Sequence, residues 1–160
     1  MADVMRVVSD VKADPKGIRE FAVDANVTIE IGDECWLDGD DVKPASHANL
    51  WTGGLAGTQG NLAEKFVGFA MSHAESTVAT TVRVATKGKA KCTLTTATTW
   101  EVGATVSGSR NGATNTLHDQ QVDVLANNQA NQNLAIGKAT KRATVSTSEI
   151  EFEFLGRTVP

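Results

Sequence analysis

Near its end the chain alternates acidic and apolar residues one for one: Glu149, Ile150, Glu151, Phe152, Glu153, Phe154. Successive side chains of an extended strand point to opposite faces. This segment is therefore expected in a sheet, with Ile150, Phe152 and Phe154 toward a core and the three carboxylates toward solvent or a neighbouring subunit. The same period of two recurs upstream. Val27, Ile29 and Ile31 alternate with Thr28 and Glu30. Val78, Thr80, Val82 and Val84 mark a longer strand, and Ala90, Cys92 and Leu94 alternate against Lys89, Lys91 and Thr93. Cys35-Trp36-Leu37, Val67–Met71 and the stretches 102–107, 121–125 and 134–140 complete the set.

Turn residues punctuate these runs. Asp38-Gly39 predicts a hairpin, since both residues tolerate positive φ, and Lys87-Gly88 predicts a second turn. Residues 44–65, with Pro44, Gly53, Gly54, Gly57 and Gly60, read as one long connection of a kind that makes contacts of its own. Asn127–Asn133 reads as a polar loop. Aromatic residues are only 5% of the chain and tyrosine is absent, so Val, Ala, Leu and Ile must fill most of the core. The fold class that follows is all-β: a small antiparallel β-barrel or sandwich.

A weak internal repeat sharpens this. Ile31-Gly32-Asp33, preceded by Ile29-Glu30, is echoed by Val102-Gly103-Ala104, preceded by Trp100-Glu101. Val67-Gly68-Phe69-Ala70 is echoed by Ile136-Gly137-Lys138-Ala139. Each copy then runs into a long alternating strand, at 78–86 and 149–155. Two similar β units of this kind would close a small barrel and remove exposed edges. Residues 1–26 have another rhythm, interrupted by Asp14-Pro15-Lys16-Gly17. They are expected to form an N-terminal arm, with the barrel spanning 27–160. Val4, Val7, Val8, Val11, Ile18 and Phe21 make that arm more apolar than a free tail, so it is expected to be ordered by contact with a neighbour.

The charge balance narrows the function. Formal net charge is −4 and no Lys/Arg-rich run would release counterions from nucleic acid, so no nucleic-acid partner is expected. No apolar run reaches membrane-spanning length. The start, Met-Ala-Asp-Val-Met, has no basic segment followed by an apolar one, so synthesis in a cytoplasm is expected. Cys35 and Cys92 lie in strand-like runs and read as buried free thiols.

The order of these elements resembles the capsid decoration, or structural cement, proteins of tailed bacteriophages. The resemblance rests on Ile29-Glu30-Ile31-Gly32-Asp33-Glu34-Cys35-Trp36-Leu37, on the turn Asp38-Gly39-Asp40-Asp41, and on Val42-Lys43-Pro44-Ala45. It extends through Val67-Gly68-Phe69-Ala70, the second motif at 102–103, and the ending over 136–155. It covers about residues 27–156. The Gly-rich stretch 44–65 and the Asn/Gln loop depart from the compact pattern. The resemblance implies a β-barrel, often a homo-oligomer (trimer), on the outer capsid surface of the virion, made in the host cytoplasm. Its partner would be the major capsid protein, and it implies no catalysis.

Other chemistry lacks the residue patterns it needs. Asp33, Glu34, Asp38, Asp40 and Asp41 lack the ligand spacing of a calcium loop. His47, His73 and His118 have no zinc-type partners in sequence. No metal and no cofactor are expected. A Cys35–His nucleophile pair lacks any positioning signal, which leaves a trimeric β-barrel hydrolase as a remote rival. A virion adhesion or fibre-base module is the nearer one. Trp36 and Trp100 flank the repeated motif and are expected in a core or subunit interface. Trp51, in the Gly-rich stretch, is expected either to anchor an interface from the surface or to cap the barrel. The expected contact residues are therefore Val4, Val7, Val8, Val11, Ile18, Phe21 and Trp51.

Overall fold

The computed structural model describes residues 12–13, 17–75, 77–78 and 80–156. A short strand β1 (Lys12–Ala13) precedes β2 (Ile18–Val23), β3 (Glu34–Asp38), β4 (Asp41–Pro44), β5 (Phe66–Ala70) and β6 (Thr80–Ala85). Then follow β7 (Lys87–Trp100), β8 (Thr105–Arg110), β9 (Leu117–Leu125), β10 (Gly137–Ala139) and β11 (Ala143–Leu155). The first ring runs β2-β4-β3-β5-β6 and the second β7-β9-β8-β10-β11, with β1 laid against β7. In each ring the first strand pairs parallel with the third, and every other pair is antiparallel. The protein is thus all-β, built of two similar units, and each unit closes a barrel of its own.

The repeat seen in sequence is a repeat of hydrogen bonds. Asp33 N–H donates to Glu30 O and Ala104 N–H to Glu101 O, both at 3.1 Å. Gly32 N–H donates to Ala70 O at 2.8 Å, and Gly103 N–H to Ala139 O at 2.9 Å. Ala70 N–H returns to Asp33 O and Ala139 N–H to Ala104 O, both at 2.9 Å. Gly32 and Gly103 turn the chain at φ 95° and 82°, a region that side-chain-bearing residues avoid.

Several expected boundaries move. Ile18–Val23, assigned above to the arm, is β2 and pairs residue for residue with β6 from Ile18↔Ala85 to Val23↔Thr80. The first barrel therefore begins near residue 18 rather than 27. Val27, Ile29 and Ile31 do not form a strand. Ile29 makes a single bridge to Ala74, and Gly32 turns the chain before β3. Lys87-Gly88 is not a turn, since both residues lie inside β7. The hairpin at 38–41 is present, with Gly39 (φ 67°) and Asp40 between the paired Asp38 and Asp41.

The stretch 44–65 is not a plain connection. It holds a 3-10 helix, Ala48–Leu50, and an α-helix, α1 (Leu55–Lys65). Leu62 and Ala63 of α1 are buried, and Leu62 joins the core. Tertiary burial outweighs the cost of Gly57 and Gly60 within the helix, about 1 kcal/mol each. The Asn/Gln loop is likewise helical, a 3-10 turn over Gln129–Leu134 whose N-cap Asn128 accepts from Asn131 N–H.

Only Thr86 separates β6 from β7. Its N–H donates to Gly17 O at 2.9 Å, and its carbonyl accepts from Gly156 N–H at 2.6 Å. The start of the first barrel and the end of the second therefore meet at the joint. A Cβ on Gly156 would stand 2.0 Å from Val67 O, so only glycine lets these chains approach.

The barrels are filled differently. Val23, Val27, Ile29, Cys35, Val42, Val67, Ala70, Ala74, Val82 and Val84 form one cluster inside the first. Inside the second, Leu94, Val106, Leu117, Val122, Ile150, Phe152 and their neighbours form a cluster that continues outward to Trp36, Leu62, Phe66 and Phe69 of the first unit. A bulge in β5 produces this continuity. Cys35 is opposite Gly68 and Trp36 opposite Phe66, so Val67 is the extra residue. Phe66 and Phe69 consequently share one face, outside the first barrel. There they meet Phe154 edge-on, at centroid distances of 6.5 and 4.8 Å.

Candidate functional site

Of the contact candidates, Ile18, Phe21 and Trp51 lie among the described residues. Ile18 is 37% exposed at the start of β2. Phe21 is half-buried against the core of the first barrel. Trp51 follows the 3-10 helix and packs against the shared core, with the Arg110 guanidinium 5.2 Å above its ring. Val4, Val7, Val8 and Val11 lie outside the described residues. Trp36 is fully buried and Trp100 half-buried, so both serve packing as expected. Ile150, Phe152 and Phe154 are buried in the predicted phase.

The two segments that depart from the compact pattern come together. α1 and the 3-10 helix Gln129–Leu134 occupy the same place in their units, between the third and fourth strands, and they pack on each other. A cleft of about 650 Å³ runs between them, lined by Thr52, Gly57, Asn61, Glu64, Gln132 and Asn133 among others. Next to it, Arg110 is held over Trp51 by the carbonyls of Thr114 and Ala113 and by Asn115 Oδ1. This helical face combines amides, small residues and a cation–π pair.

A second arrangement lies in the seam between the barrels. Glu34 is next to Cys35 and alternates with it, so Cys35 enters the first barrel while Glu34 joins Trp36 on the outer face. That face is covered by the second barrel, and Glu34 is 0% exposed with neither carboxylate oxygen hydrogen-bonded. Beside it, Asp33 Oδ1 accepts from Gln120 Nε2 at 2.9 Å and Asp33 Oδ2 from Glu30 N–H at 2.9 Å. Asp119 accepts from Ser46 N–H at 2.7 Å and from Ser46 Oγ at 2.9 Å. Burial first, then the charge on Asp119, pushes Asp33 up to about 7. Burial, then Asp119, Asp33 and Asp123, holds Glu34 well above the usual carboxylate range. Burial also raises Asp119 and Asp123. Sequence reading singled out Asp33 and Glu34 within an acidic run but could not pair them with Asp119, Gln120 and Asp123 of the other unit.

The rest of that run goes elsewhere. Asp38 pairs with Lys43 and Asn49, which hold it below its ordinary value, Lys43 contributing most. Among the described residues, no group of three or more His, Cys, Asp or Glu is placed to hold a metal ion. His73 lies between Glu75 (2.9 Å) and Glu30 (3.0 Å), and the Glu75 hydrogen bond leads in raising its pKa. Cys35 and Cys92 are buried and form no disulfide, and burial pushes Cys35 up, away from nucleophilic use. No family model and no curated protein matches the chain.

Proposed function

We propose that the protein is a capsid decoration protein, a non-enzymatic virion component that binds the outer surface of an assembled tailed-phage capsid and stabilises it between capsomers. The observation that carries this reading is where the motifs of the resemblance fall. Residues 29–37, 67–70, 102–103 and 136–155 occupy matching turns and strands of two tandem barrels. Their turn and strand positions build the two frames, as the resemblance implies.

In this reading the partner is the major capsid protein, and the cement protein acts by linkage. A molecule that binds only the assembled shell stabilises that shell. Many copies, assembled as trimers, let modest contacts add up. The helical face around Trp51 and Arg110, and the apolar residues of segment 1–11, supply the contacts. Adding purified protein to stripped capsids should raise their rupture temperature, followed by light scattering. No change in rupture temperature would refute the proposal. A change in host attachment without one would favour the adhesion or fibre-base reading. Sedimentation should give three times the chain mass.

A further inference from the structure

We propose that the seam between the barrels is a proton-operated latch: Asp33 and Glu34, buried against Asp119 and Asp123, hold the barrels together when protonated and loosen the seam when ionised. The argument begins with the orphaned side chain. Glu34 is fully buried, and both its oxygens and Gln120 Oε1 lack any partner. All three are acceptors when Glu34 is ionised, and a proton on Glu34 supplies a donor in the place that lacks one. An ionised carboxylate left there without a cation is strongly disfavoured.

The surrounding elements bring little positive charge. β4 carries Lys43, engaged with Asp38, and Asp41. α1 carries Lys65, 5.7 Å from the Trp36 ring, and exposed Glu64. β5 carries no charged residue. β9 adds Asp119 and Asp123, with His118 as its one basic group, acting on those two aspartates. Glu30, under His73, faces Asp33 through its backbone N–H.

The direction follows from burial. Below the ordinary carboxylate range, folded and unfolded chains both hold these protons. Above it the unfolded chain releases them freely, while the folded seam must retain them or bury charge. Stability therefore falls as pH rises from about 4, and keeps falling through the value near 7 for Asp33. The charge that loosens the seam is that of Glu34, which has no donor. The bonds that cross the seam, Ser46 to Asp119 and Gln120 to Asp33, favour the charged carboxylates and break only as the barrels part, together with Gln120 to Ile31 O.

The test uses the full chain at pH 5 to 8.5. The thermal midpoint should drop by about 5 °C or more across that range. Glu34→Gln, which mimics the protonated acid, should remove at least half of the drop and be the more stable chain at pH 8.5. Protection of the Ser46 amide, relative to its intrinsic exchange rate at each pH, should fall with pH before protection in β7 and β11 does. His73, raised first by its Glu75 hydrogen bond, also contributes stability that is lost as pH rises, so the slope must survive His73→Gln. A flat wild-type profile, or a full slope in Glu34→Gln, would overturn the latch. If Glu34→Gln does not fold, carbon-13 titration of the wild-type carboxyls decides. Glu34 still protonated at pH 7 supports the proposal, and Glu34 ionised at pH 6 overturns it.

Discussion

The two barrels share a ring order and a set of turn hydrogen bonds, yet they hold themselves together differently. The first encloses small β-branched and aliphatic side chains, with Phe21 packed against them, and turns Trp36, Phe66 and Phe69 outward. The second encloses Ile150 and Phe152 and shares its core with those outward aromatics. The first barrel is thus a closed unit with a sticky outer face, and the second is completed by that face. One ring topology accepts either filling, because the hydrogen-bond frame fixes the strands while the side chains fix only volume.

The largest expected effect separates the two barrels at equivalent glycines. Gly68 and Gly137 both lie where a Cβ would strike the carbonyl of the last strand, at 1.8 Å from Ala85 O and 2.5 Å from Glu153 O. Gly68 also sits at φ 139°, where a side chain is strained whatever the space, and Gly137 has no such φ. Gly68→Ala should therefore abolish folding or cost more than about 4 kcal/mol, the range of exceptional substitutions. Gly137→Ala should cost clearly less in urea melts. Equal losses would mean that backbone strain adds nothing at the bulge.

The next contrast is between core fillings. Phe152→Ala removes a fully buried ring from the shared core and should cost about 3–5 kcal/mol. Ile29→Val, fully buried in the first barrel's own cluster, should cost about 0.5–1.5 kcal/mol. A loss below about 1 kcal/mol for Phe152→Ala would contradict the burial of its ring.

What the sequence disclosed divides along the same line. Period-two alternation located the buried faces of β7 and β11 and, at Val82 and Val84, of β6, because a half-buried strand writes its two environments directly into sequence; Val78 precedes β6 and is exposed. The glycine motifs located the equivalent turns. The bulge at Val67 was illegible, since an extra residue in Phe66-Val67-Gly68-Phe69 looks like an unbroken apolar run. α1 was hidden by its glycines, and β2 by its position behind Pro15-Lys16-Gly17. Of the seam, only Asp33 and Glu34 drew notice. Their partners lie more than 80 residues away along the chain, a separation that no local pattern reports.

The smallest effect on stability is expected from segment 1–11, and it tests where the first barrel begins. The rings close with strands from residue 18 onward, and β1 lies beside β7 without belonging to either ring. Deleting residues 1–11 should therefore shift the thermal midpoint by less than about 3 °C, under 1 kcal/mol for a chain of this size. Deleting residues 1–22 instead removes most of β2, the strand paired along its length with β6. That deletion should unfold the first barrel and expose the face that completes the second. The shorter deletion then isolates the proposed contact role. Val4, Val7, Val8 and Val11 carry apolar surface worth about 25 cal/mol per Å² when covered, so their loss should weaken capsid binding strongly while the barrels stay folded. If the 1–11 deletion decorated capsids as well as the full chain, the contact would have to come from the helical face alone. If it melted as the 1–22 deletion does, the first barrel would depend on residues ahead of β2.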